Sequence, residues 1–182
     1  VGVADFEALG LDEQDRRRDV VALANPLSTE QPNFTSTLLP GMLNAVARNL
    51  GRGQDTVALF EMASIARPRG QAAPIYGVEA RPAEEFAKLL EALPEQPLHL
   101  CFAVTGQVSG SGWWGQGRDA SWGDAAQAVR DLADLLGVHV EVEAASTAPW
   151  HPGRCAQFKV GDQIIGHAGE LHPKVAKGFG IS

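Results

Sequence analysis

The stretch that most constrains the fold is HPGRCAQFKVGDQIIGHAGELHP, from His151 to Pro173. Two short runs, Cys155 to Val160 and Gln163 to His167, flank Gly161-Asp162. Gly and Asp tolerate the positive φ of a tight reversal, so the pattern predicts a β-hairpin. His151-Pro152-Gly153-Arg154 reads as a turn leading into it. Hairpin strands are antiparallel, and a lone ribbon is not stable in water, so this segment requires a larger sheet or a covering layer of helices.

The upstream chain supplies both. Asp12 to Asp19 is a charge run that reads as a solvated loop behind a polar lead-in, and Val20–Ala24 as a short buried strand stopped by Asn25-Pro26. Leu39, Leu43, Val46 and Leu50 recur at helical spacing, with Ser36 or Thr37 as cap, Pro40 in the first turn, Gly51 as stop and Arg48 and Arg52 at the negative end of the dipole. Thr56–Ala66 and Pro97–Gly106 read as strands, separated by a loop RPRGQAAPIYG and a helix carrying Phe86, Leu89, Leu90 and Leu93. A Gly-rich stretch around Trp113 and Trp114 precedes a helix predicted to turn Val129, Leu132, Leu135 and Leu136 inward and to end at Gly137. VHVEVEA alternates as a half-buried strand. The expected class is α+β: an antiparallel sheet with flanking helices, in one domain over residues 1–182.

Charge and cysteine content narrow the function. With 22 acidic against 15 basic side chains the net charge is −7, which disfavours gripping nucleic acid through this piece alone. Cys101 and Cys155 form no paired motif, so a reducing, cytoplasmic setting is expected. No apolar run approaches the roughly 18 residues of a membrane span, and no signal-peptide pattern opens the chain. A chain that starts on Val1 and stops on GFGIS reads as a piece of a longer protein.

Catalytic signatures are sparse. His151, His167 and His172 with Cys155 and Glu170 invite a zinc reading, but their spacing stacks them on no helical face and Pro and Gly shape turns there, so no metal site is assigned. Cys155, inside a strand, reads as an inert buried thiol. GSGWWGQG lacks the Lys-Ser/Thr of a phosphate loop and reads as a surface loop, its tryptophans either contacting a partner or covering an edge of the core.

Two blocks carry a resemblance. Val21–Pro68 contains Asn25-Pro26-Leu27-Ser28, Leu38-Leu39-Pro40-Gly41, Asn49 and Leu59-Phe60-Glu61, and the second block is the His-Pro-Gly-Arg turn, hairpin and Gly-Glu-Leu-His-Pro end quoted above. In this order and spacing they resemble the core domain of the β subunit of bacterial phenylalanyl-tRNA synthetase. Two departures stand out: Thr35 replaces the family's usual Arg, and Asp124-Ala125-Ala126-Gln127 replaces Asp-x-Lys-Gly.

The resemblance implies a degenerate class II aminoacyl-tRNA synthetase-like core, without catalytic residues, that packs on the α subunit of an α2β2 heterotetramer. The holoenzyme would use ATP and Mg, and tRNA would bind mainly elsewhere. Consistent with lost catalysis, no Arg is followed two residues later by Glu. Structural or interface roles are expected for Asn25 and Pro26 (strand-ending turn), Pro40 and Gly41 (helix start), Glu61 (a buried or interface carboxylate), and His151, Arg154, Glu170 and His172 (turn and hairpin framework). Binding to α would use apolar and mixed surface. The alternatives are a stand-alone interaction module derived from this fold, or a synthetase paralogue binding an amino acid or adenylate.

Overall fold

The computed structural model describes residues 1–70 and 82–181. The loop reading for Gln71 to Gly77 lies outside the described residues. The first helix, α1 (Val3–Ala8), is capped by Asp5, whose carboxylate accepts from the Gly2 N–H at 2.8 Å. It was expected as polar lead-in, yet Phe6, Leu9 and Leu11 are buried against Leu43, Val175 and Phe179. This first core joins both ends of the chain.

The charge run that follows is not simply solvated. Arg16–Arg18 forms one 3-10 turn, and Arg17 donates to Asp15 at 2.6 Å and to the Ala148 carbonyl at 2.8 Å. That guanidinium hydrogen bond holds the Asp15 carboxyl below its ordinary value. The strand expected at Val20–Ala24 is only an isolated antiparallel bridge, Ala22 to Asn33, with Leu23 N–H bonded to the Pro32 carbonyl. Pro32 and Pro26 interrupt the donors a longer ladder needs.

Helix α2 (Leu39–Leu50) forms as its periodicity dictates, burying Pro40, Met42, Leu43 and Val46. Thr37 Oγ1 accepts weakly from Leu39 N–H at 3.4 Å, whereas Ser36 donates its hydroxyl to the Arg17 carbonyl at 2.6 Å. Gly51 ends the helix in right-handed geometry. The left-handed reversal comes two residues later, at Gly53 (φ 83°).

Strands β1 (Val57–Ser64) and β2 (Leu98–Thr105) pair antiparallel, Val57 opposite Thr105 through Ser64 opposite Leu98. Between them, α3 (Ala83–Ala92) carries the expected stripe, but Phe86, Leu90 and Leu93 are exposed. A small ribbon, β3 (Gln107–Ser109) with β4 (Arg118–Asp119), leads to α4 (Trp122–Leu136).

Helix α4 ends at a left-handed Gly137 (φ 66°), as predicted, but of the side chains expected inward only Val129 packs on the core, and Leu132, Leu135 and Leu136 are exposed. Ala126 and Ala133 are buried and Val129 half-buried, while Leu135 is 83% and Leu136 66% exposed. The small face wins because it lets the helix settle closely on the sheet below, where Phe158, fully buried, fills the space among Ala126, Ala156 and Ala168. That sheet orders β5 (Glu141–Ala144), β6 (Trp150–Val160) and β7 (Gln163–Leu171).

The predicted hairpin is β6–β7, with Val160 opposite Gln163 and only Gly161 (φ 57°) at positive φ. The His151–Arg154 turn is instead an irregularity inside β6: the register shifts between Trp150 and Cys155, and Gly153 takes φ 82°. The strand bulges there rather than reversing. Helix α5 (Pro173–Gly178) closes the fold. The class is α+β, with small antiparallel sheets and packed helices.

Candidate functional site

Two surfaces stand out. The first is a cleft of about 880 Å³. Its walls include every residue from His99 to Gly106 and from Ile164 to Leu171. Successive strand residues point to opposite faces, so a wall made of consecutive residues is a strand edge. β2 and β7 therefore turn their edges, not their faces, toward the cleft, and each is the terminal strand of its sheet. Helix α2 supplies Met42 and Val46 on one side, and Ile181 also lines the space.

Two of the ionisable groups that line this cleft are paired. Arg17 is bound by Asp15, and Glu170 accepts both its hydrogen bonds from Arg154 Nη1, at 2.7 and 2.8 Å. His99 lies 3.5 Å from Arg67, and burial, then that cation, lowers its pKa. Cys101 sits opposite Glu61 on β1, and burial chiefly pushes its thiol up to about 11. A thiol held that high is a weak nucleophile at neutral pH.

The second surface is the outer face of β1–β2. Cross-strand partners share a face, which puts Phe60 with Phe102, Met62 with Leu100 and Ser64 with Leu98 on one side. Phe60 is 77%, Met62 63%, Leu98 63% and Leu100 44% exposed. The opposite face meets α2, where Val57 is buried.

The residues singled out in the sequence fall into three places. Asn25 and Pro26 lie in an exposed bend. Pro40 is buried in the first turn of α2; Gly41 beside it is exposed and faces the carboxylate of Glu61, which is itself exposed rather than buried. A carboxylate at a helix N-terminus is favourably placed in the helix dipole. Thr35, at the Arg position of the family pattern, accepts the Ala66 N–H at its carbonyl, 2.7 Å.

His151 and His172 are brought together, their rings stacked at 6.2 Å. His172 caps α5 by accepting Lys174 N–H at its Nδ1, 3.1 Å, and the enclosed Nδ1 of His151 has no hydrogen-bond partner among the described residues. Cys155 is buried within β6. No three His, Cys, Asp or Glu side chains stand together as metal ligands among the described residues. Arg17 was missed from sequence; the Asp-x-Arg spacing of Asp15 and Arg17 was its local signal.

The whole chain, residues 1–182, matches the family model described as the phenylalanyl tRNA synthetase beta chain CLM domain. The chain belongs to that family. It is 50% identical over 189 aligned positions to the phenylalanine–tRNA ligase beta subunit of Thermobifida fusca, with all of this chain and 23% of the relative covered. The beta subunit of Streptomyces avermitilis is 46% identical, with 100% and 23% covered, and that of Corynebacterium diphtheriae 44%, with 97% and 21%. The chain thus spans less than a quarter of the length of these relatives. No helix among the described residues is long and apolar enough to cross a membrane.

Proposed function

We propose that this chain is the non-catalytic core domain of a phenylalanine–tRNA ligase β subunit, a single domain that packs on and supports the catalytic α subunit of a cytoplasmic α2β2 enzyme. The observation that carries this reading is the uncovered face of β1–β2. Four large apolar side chains contiguous in register, Phe60, Met62, Leu98 and Leu100, stay 44–77% exposed among the described residues. A face of this kind marks a protein contact.

The paired side chains of the cleft support the same reading. Arg17 and Glu170 on its walls are committed to Asp15 and Arg154, and no three carboxylates or other metal-ligating side chains stand together among the described residues. In this reading ATP, Mg and phenylalanine belong to α, and tRNA to the rest of the holoenzyme, in keeping with the net charge of −7. The class II-like core is the reading that the two strand edges support. One continuous antiparallel sheet requires β2 and β7 to be joined through further strand, and the cleft offers both edges to it.

The framework residues have structural roles: Asn25 and Pro26 shape the bend, Pro40 and Gly41 start α2 under Glu61, Arg154 and Glu170 tie β6 to β7, and His172 with His151 seats α5. Size-exclusion chromatography with light scattering tests the assembly: β and α should co-elute, and the F60A/L98A double variant should weaken that complex. Separate elution of the folded wild type refutes the reading. Phenylalanine-dependent ATP–pyrophosphate exchange by the isolated chain would favour the paralogue alternative instead.

A further inference from the structure

We infer that the cleft between β2 and β7 takes one extended segment of the same β subunit, from outside these 182 residues, with a carboxylate at its Arg67 end. This rests on the continuous-sheet reading above. Both walls are edges of terminal strands, β2 from His99 to Gly106 and β7 from Ile164 to Leu171. Such edges present rows of N–H and C=O groups, and one added strand satisfies both rows at once.

The size of the cleft limits the occupant to one strand. A strand residue takes ~3.3 Å of rise, ~4.8 Å of lateral spacing and ~10 Å of sheet depth, roughly 160 Å³ in all. The cleft of about 880 Å³ then holds about five or six residues, the commonest strand length. Met42 and Val46 of α2 flank the space, so side chains of the segment that face α2 must be apolar.

Charge gives the segment a direction. Arg67 lines the cleft where β2 begins, 3.5 Å from His99, and among the described residues no carboxylate pairs with it. Asp119 lines the other end, where the Ala120 N–H donates to the Gly106 carbonyl. A cation at one end and an acid at the other favour an occupant with the opposite order of charge.

Connectivity favours the β chain over the α subunit as its source. β7 is the last strand described, and its other edge is taken by β6. Consecutive strands are neighbours roughly two-thirds of the time, so the next strand of the β subunit belongs at the free edge of β7. Ile181 already lines the cleft, so a continuation has no distance to cross. The relatives are more than four times as long as the span matched here, which leaves ample chain for it. A tethered segment also acts at millimolar effective concentration, an advantage that a separate subunit lacks.

The test uses the full-length β subunit with p-benzoylphenylalanine in place of Ile165, a residue of the cleft wall, photolysed with and without the α subunit. The crosslinked peptide should come from the β chain outside residues 1–182, even with α absent. A crosslink to α, or only to residues within 1–182, overturns the inference. Hydrogen exchange on wild-type β guards against a probe that blocks docking: the cleft-facing amides of β2 and β7 should be protected before α is added. Protection that arises only with α overturns the inference and leaves the continuous sheet standing. Edges that exchange freely in both states overturn sheet and inference together. R67E should speed exchange at the β2 edge about fivefold, and R67K should leave it unchanged. Equal rates in R67E and wild type overturn the carboxylate at the Arg67 end.

Discussion

Phe158→Ala tests the second core most directly. Phe158 is fully buried, and the residues around it are Ala126, Ala156 and Ala168, with Ala125, Val129, Val140 and Val142 at the margin. Removing its ring loses transfer free energy of about 2–3 kcal/mol. It also leaves a void of roughly 100 Å³, which at about 24 cal/mol per Å³ adds about 2 kcal/mol if nothing moves in. Alanines have no reach with which to fill it, so the loss belongs near the upper part of the range for such truncations, about 4–5 kcal/mol. Phe60→Ala, on the uncovered face, removes the same ring from a site 77% exposed and should change stability by about 0.5 kcal/mol or less. Urea unfolding followed by far-UV circular dichroism, with common m-values, measures both. A Phe158→Ala loss below about 2 kcal/mol, or equal losses for the two variants, would refute the packing of α4 on β6 and β7 described above.

Three further outcomes are expected. Asp15, Asp124 and Glu143 all have folded-state pKa values below their ordinary ones, chiefly through side-chain hydrogen bonds from Arg17, Arg118 and Lys159 respectively. Lowered carboxyl values stabilise the fold above the unfolded pKa, and that contribution disappears as pH falls through the folded values; urea midpoints should therefore drop below about pH 4, with a shallower drop in D124N. Gly106→Ala should destabilise by at least about 1–3 kcal/mol, because Gly106 holds φ 77° and an added Cβ would run into the Asp55 carbonyl; a thermal midpoint unchanged from wild type would contradict the backbone described there. Iodoacetamide should leave Cys101 and Cys155 unlabelled in folded protein at pH 8, since burial raises both thiols, and should label both after denaturation; rapid native labelling of Cys101 would mean that the cleft wall is open.

Local chemistry determined much of this protein in advance. The Gly161-Asp162 reversal, the α2 stripe, the β1 and β2 runs and the Gly137 stop were all legible, because each depends on residues within about one turn or one hairpin of one another. The family, too, was legible in two short blocks. Tertiary structure decided what periodicity cannot. On α4 the leucines and alanines define competing faces, and close approach to β6 and β7 selected the alanines. The Val20–Ala24 run had strand composition but only a bridge's worth of partner. The bulge at Gly153, the Arg154–Glu170 tie and the stacking of His151 on His172 arise between residues 14 or more apart, held by the β6–β7 register and α5. Which surfaces remain uncovered was likewise settled by packing: a sequence states how apolar Phe60 or Leu135 is, and only the arrangement of its neighbours determines whether water reaches it.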